Sequence, residues 1–189
     1  MKNKKELMTG KLFLGIIGCF VLCGCGIFSK EPYRVVSYYD FDCKSEKQYS
    51  IGVNVSEVTA DRPYSEKMVF RVSGNRIEID EFNRWAGSPS ELVKKYFFLS
   101  FDNRNSAKPS DYTMKIEIMQ LEADLDKSSV KLMMQISVRS VQKDKPVLQK
   151  VYRQEIPVVK VTGESFAMGI EAALGKISDE LMKDLGKAQ

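Results

Sequence analysis

From Val130 to Val138 every second residue is apolar: Val130, Leu132, Met134, Ile136 and Val138. A period of two places alternate side chains on opposite faces of an extended strand, so this stretch demands a sheet with one buried face. The chain also contains what buries it. Phe166, Ile170, Leu174, Ile177, Leu181 and Leu185 recur at steps of three or four, the spacing of one helix face, and predict a helix from about Glu164 to Leu185. A strand face and a helix stripe of this kind cover each other, which points to a layered α+β design.

The remaining elements fit around that pair. Arg34 to Phe41, rich in β-branched and aromatic residues, predicts a first strand, and the alternating Tyr49, Ile51, Val53 and Val55 predict a second. Lys67–Val72 and Arg76–Phe82 flank Ser73-Gly74-Asn75, a hairpin signature. Ser88-Pro89-Ser90-Glu91 offers an N-cap serine, a proline in the first helical turn and a glutamate to close a capping box. Leu92, Val93, Tyr96 and Phe97 continue that helix, and Phe101 to Ser110 read as a polar loop. Met114, Ile116, Ile118 and Leu121 predict another strand. Lys143 to Pro146 turn the chain into a long strand from Val147 to Val159, placed at a sheet edge by Pro157. The expectation is one α+β domain over residues 34–189: a mixed or antiparallel sheet with two main helices packed on it.

The N-terminus is of another kind. Lys2, Lys4, Lys5 and Lys11 precede Leu12–Leu22, an uncharged and mostly apolar run of eleven residues. As a helix it spans roughly 16 Å, too short for a hydrocarbon core of about 30 Å, so it reads as the apolar region of a secretory signal. Leu22-Cys23-Gly24-Cys25 follows and resembles the lipobox of bacterial lipoproteins, in which a thiol accepts the lipid. Ile16-Ile17-Gly18-Cys19 is a weaker match that leaves a shorter apolar run. An uncleaved N-terminal anchor helix is the other alternative. Residues 1–24 are thus expected to be a signal peptide, Cys25 the lipidation site, and residues 25–33 a tether. Two or three acyl chains suffice for stable anchoring, where one gives only marginal binding. Gly26 stands where an inner-membrane lipoprotein would carry Asp, so the expected address is the periplasmic face of the outer membrane.

Removing the signal changes the composition. The chain has 29 basic and 25 acidic residues; without residues 1–24 these become 25 and 24, a net charge of +1 that gives no sign of a nucleic-acid partner. Of four cysteines only Cys43 then remains unmodified, which excludes an intramolecular disulfide. A small apolar filler near a strand end, a reactive thiol and a dimer link are its three readings. The sequence contains no histidine, which excludes Ser-His-Asp and Cys-His catalysis and histidine-ligated zinc. The acid pairs Asp80-Glu81 and Asp124-Asp126 are expected on solvent faces or loops, not in a catalytic cleft. No enzyme activity, metal or cofactor is implied.

Met68 to Pro89 (MVFRVSGNRIEIDEFNRWAGSP) carries the most specific pattern. It resembles the auxiliary lipoproteins of ABC-type transport systems, which are paired with mammalian-cell-entry (MCE) domain lipid transporters. The matching positions are Val69-Phe70-Arg71, the acid- and aromatic-rich run Ile77–Phe82, Asn83-Arg84-Trp85-Ala86, and Pro89. The resemblance implies an outer-membrane docking component without chemistry of its own, oligomeric, working beside an MCE-domain protein, a permease and an ATPase. Within it Arg71, Arg84, Trp85 and Pro89 form a signature that is either a partner-binding surface or structural. In the structural reading Trp85 caps the core between hairpin and helix, and Arg84 pairs with an acid such as Glu81. A stand-alone lipid- or ligand-binding lipoprotein is the alternative function, and it requires an apolar pocket.

Overall fold

Every core position in the Val130–Val138 alternation is buried, at 2% exposure or less, as is the whole Phe166–Leu185 stripe. The two sets meet as predicted, strand face against helix face, in the computed structural model, which describes residues 33–43, 49, 51–101 and 110–187. Residues Val35–Gln189 form one compact unit. The expected signal peptide, Cys19, Cys25 and residues 102–109 of the expected polar loop lie outside the described residues.

Seven strands and two helices are described in that unit: β1 (Ser37–Tyr39), β2 (Val53–Ala60), β3 (Lys67–Ser73), β4 (Arg76–Trp85), α1 (Pro89–Ser100), β5 (Tyr112–Asp124), β6 (Ser129–Ser140), β7 (Lys145–Pro157) and α2 (Gly163–Lys187). The sheet is mixed and open, in the order β1-β4-β3-β5-β6-β7, and β2 also pairs with β5. Strand β5 organises it. Its first half runs parallel to β2, its last two residues run parallel to β3, and β6 lies antiparallel along its other side. A bulge between Ile118 and Gln120 shifts the phase, so the core face passes from Met114, Ile116 and Ile118 to Leu121 and Ala123. Without it Glu122 and Asp124 would point into the apolar core; with it they face the opposite side of the sheet.

The helices start as the sequence dictates. At α1, Glu91 N–H donates to Ser88 Oγ at 3.3 Å and Ser88 N–H donates to Glu91 Oε2 at 3.0 Å, the reciprocal capping box, with Pro89 in the first turn. Leu92, Val93, Tyr96 and Phe97 are the buried side. Helix α2 lies close to the sheet at Gly169, where a Cβ would fall 2.7 Å from Val130 Cγ2. The β3–β4 turn contains Gly74 at φ +49°, a left-handed conformation in which glycine avoids the Cβ clash.

Several predicted boundaries are corrected, and the second hairpin arm runs on from Phe82 to Trp85. The first strand is three residues long instead of eight, because only Asn83–Trp85 of β4 are in line to pair with it. The second begins at Val53, not Tyr49. Tyr49 is drawn off the strand line: its ring stacks on Phe101 at 5.0 Å and its hydroxyl donates to Asp179 at 2.8 Å. The edge strand runs from Lys145 to Pro157, two residues earlier at each end than Val147–Val159, and Val159 is fully exposed. Cys43 is half-buried against the core, and burial pushes its thiol pKa up.

Candidate functional site

The signature residues are spread along the hairpin and beyond it: Arg71 lies near the β3–β4 turn, opposite Ile77, Arg84 and Trp85 lie at the far end of β4, and Pro89 opens α1. Arg71 on β3 donates from Nε and Nη2 to the two oxygens of Glu122 at 2.7 and 2.9 Å, and from Nη1 to the Gly74 carbonyl at 2.8 Å. Glu122 is fully buried, so the fork of the guanidinium replaces the water that the carboxylate has lost. Asp124, at 2% exposure, is also buried, where the sequence suggested a solvent face or loop. Burial raises its pKa, but the hydrogen bond from Lys131 at 2.6 Å, the Lys127 N–H and the nearby lysine charges outweigh that and hold it below the ordinary carboxylate range.

Trp85 is 1% exposed. Its ring packs edge-on against Phe41 at 5.5 Å and against Phe166 of α2 at 5.1 Å, and Phe166 in turn meets Phe70 of β3 at 5.6 Å. Phe41, Trp85, Phe166 and Phe70 therefore form one chain of rings that joins the segment after β1 to β4, α2 and β3. Its indole Nε1 and the Arg84 Nε are buried without a hydrogen-bond partner. The pairing of Arg84 with Glu81 is not formed. Lys67, beside Arg84 in the β3–β4 register, takes both Glu81 oxygens at 2.6 and 2.7 Å.

Next to the signature, β4 leaves its ladder. Ile79 pairs with Val69 and Arg84 with Lys67, so residues 80–83 stand opposite Met68 alone. Asp80 fixes this bulge: its Oδ1 accepts from the Phe82 and Asn83 N–H groups at 2.7 and 2.9 Å, and its Oδ2 accepts from Asn83 Nδ2 at 2.8 Å. Asn83 Oδ1 accepts from the Tyr39 hydroxyl at 3.1 Å. The Tyr39 ring in turn lies against Gly163, where a Cβ would come within 2.5 Å of it. The bulge thus turns Phe82 outward and fastens the hairpin to the start of α2.

Between them lies a groove of about 390 Å³, lined by Phe70, Val72, Ile79, Phe82, Leu125 and Val161 with Glu78, Asp80 and Glu81 beside them. Sequence reading picks out the β3–β4 segment but misses Leu125 and Val161, which come from distant turns. It also misses Glu122 as the partner of Arg71. The break in alternation after Ile118 is the available signal. Among the described residues no group of three or more His, Cys, Asp or Glu is placed to hold a metal.

The fold and this site define an α+β domain whose signature tryptophan is buried, whose Arg71 is bound to a buried carboxylate, and whose open feature is an apolar groove. The model of the ABC-type transport auxiliary lipoprotein component matches residues 44–182, and the chain belongs to that family. No curated protein matches this sequence. Among solved structures, a protein from Xanthomonas campestris aligns with a TM-score of 0.60 at 17% identity, over 78% of this chain and 91% of that one. An uncharacterized protein aligns with a TM-score of 0.66 at 12% identity, over 80% and 99% of the two chains. These likenesses show a shared fold.

Proposed function

We propose that this chain is the outer-membrane docking subunit of an MCE-type lipid transport system, anchored through Cys25 and holding the periplasmic partner in place without transforming a substrate. The family match over residues 44–182 carries this reading. The Leu22–Cys25 lipobox and Gly26 support the anchor and its address. A lipid anchor favours a docking role because it confines the domain to a surface and raises the effective concentration of a partner that reaches that membrane. The signature fits the same role, since Arg71 and Trp85 serve to stiffen the hairpin.

Genetic epistasis tests it. Loss of this chain and loss of the MCE-domain partner should give the same envelope-permeability defect, with the double loss no worse than either. Additive defects would contradict a shared pathway.

The stand-alone binder is favoured by one observation, a groove of about 390 Å³, within the range of roughly 300–1,000 Å³ typical of ligand sites. Native mass spectrometry of the detergent-extracted chain separates the two, since a stand-alone binder carries its lipid without the partner.

A further inference from the structure

We infer that the groove between the β3–β4 hairpin and the start of α2 is a docking site for a partner-protein segment in which large apolar side chains are flanked by lysine or arginine. That the partner belongs to a transport system rests on the adaptor reading above; the chemistry of the segment rests on the groove.

Three observations carry it. Ile79, Phe82 and Leu125 are 47%, 38% and 44% exposed, and all three border the same depression. Single exposed apolar residues are ordinary on a protein surface, but a group of them from separate elements around one concavity marks a contact site. The groove is also preformed. Its floor residue Phe70 rests on Phe166, which rests on buried Trp85. Asp80 fixes the bulge that presents Phe82 by accepting two backbone N–H groups. A partner would therefore bind without first ordering this surface.

The third observation is charge. Glu78, Asp80 and Glu81 line the groove, and among the described residues no lysine or arginine does. Such a lining offers no cation to an anionic lipid headgroup or a fatty-acid carboxylate, and it presents carboxylates to basic side chains. Glu78 and Glu81 are paired with Arg76 and Lys67 at exposed positions. Exposed pairs of this kind are weak and exchange readily with an incoming cation. An apolar centre with a charged rim is the usual division of labour at a protein interface.

The test uses the full-length chain in its native membrane, with a photoreactive phenylalanine in place of Leu125 and, as a control, in place of the similarly exposed Val141 on the β6–β7 turn. The cross-linked peptide is sequenced by mass spectrometry. The expected product, from position 125 alone, is a segment of another protein with large apolar residues next to Lys or Arg. Cross-links to lipid, to a second copy of this chain, or to a segment without that composition overturn the proposal. In parallel, capture of the MCE-domain partner from detergent extracts is compared for the wild type, Leu125→Glu and the double variant Glu78→Lys/Glu81→Lys, each first shown to melt like the wild type. Each variant should reduce capture by about tenfold or more, as loss of an interface anchor does. Equal capture by wild type and variants sinks the groove proposal and leaves the adaptor reading intact. Absence of the partner from wild-type extracts sinks the adaptor reading, and the cross-linked peptide then judges the groove on its own.

Discussion

Arg71 meets Glu122 through two parallel contacts, Nε to Oε1 at 2.7 Å and Nη2 to Oε2 at 2.9 Å, joining β3 to β5. Removing the arginine alone would leave a carboxylate at 0% exposure without its counter-charge. Arg71→Ala should therefore lower stability by about 3 kcal/mol, near the bottom of the range for broken buried pairs because the guanidinium retains some solvent contact. The double variant Arg71→Met/Glu122→Leu should recover most of that loss. Urea denaturation of the detergent-extracted chain measures both, and equal stability of Arg71→Ala and wild type would show that the pair does not stabilise the sheet.

Gly169 sets how closely α2 approaches β6. A methyl group there would fall 2.7 Å from Val130 Cγ2 and 2.8 Å from its Cβ, and Val130 is fully buried. Gly169→Ala should cost about 1–3 kcal/mol by overpacking, against the gain in helix propensity that alanine normally brings. Adding Val130→Ala should make the combined loss smaller than the sum of the two single losses. Strict additivity in a thermal or urea denaturation cycle would mean that the contact does not couple them.

Trp85 separates volume from hydrogen bonding, since its indole N–H is buried without a partner. Trp85→Phe keeps the aromatic contacts with Phe41 and Phe166 and removes an unsatisfied donor, so it should cost less than about 2 kcal/mol. Trp85→Ala opens a cavity between three elements and should cost about 3–5 kcal/mol. Partner capture by Trp85→Phe should match the wild type. A folded Trp85→Phe protein that loses its partner would instead give the indole a direct role in binding.

Two tyrosines predict alkaline sensitivity. Burial, and then the hydrogen bonds to Asp179 and Asp184, push the Tyr49 and Tyr152 hydroxyls well above the ordinary tyrosine value. The unfolded chain ionises first, so the stabilisation is complete below about pH 10 and is lost as pH rises beyond it. Denaturation midpoints should fall above that pH, and the fall should shrink in Tyr49→Phe and Tyr152→Phe. An unchanged alkaline limb in the double variant would assign the loss to other groups.

The range of each force decides how legible its product is in the sequence. The Val130–Val138 strand, the Phe166–Leu185 helix and the Ser88–Glu91 cap are local periodicities or local hydrogen bonds, and each is found where its pattern predicts. The first strand is shorter than its composition suggests because its length is set by a bulge in β4, some forty residues away. Tyr49 looks like a strand residue by alternation, yet its position depends on Phe101 and Asp179. The signature is visible as a motif, but whether Arg71 faces a partner or the interior is decided by Glu122, whose burial depends on a bulge at Ile118–Gln120. The groove is the least legible, since its walls come from the β3–β4 hairpin, the β5–β6 turn and the approach to α2.

Affinity capture of the full-length lipidated chain from detergent-solubilised envelopes, with quantitative mass spectrometry against an unrelated lipoprotein, tests the adaptor role most directly. An adaptor should enrich an MCE-domain protein, with its permease and ATPase recovered in smaller amounts. Recovery of the chain with bound lipid and none of these proteins, in repeated preparations, would contradict it.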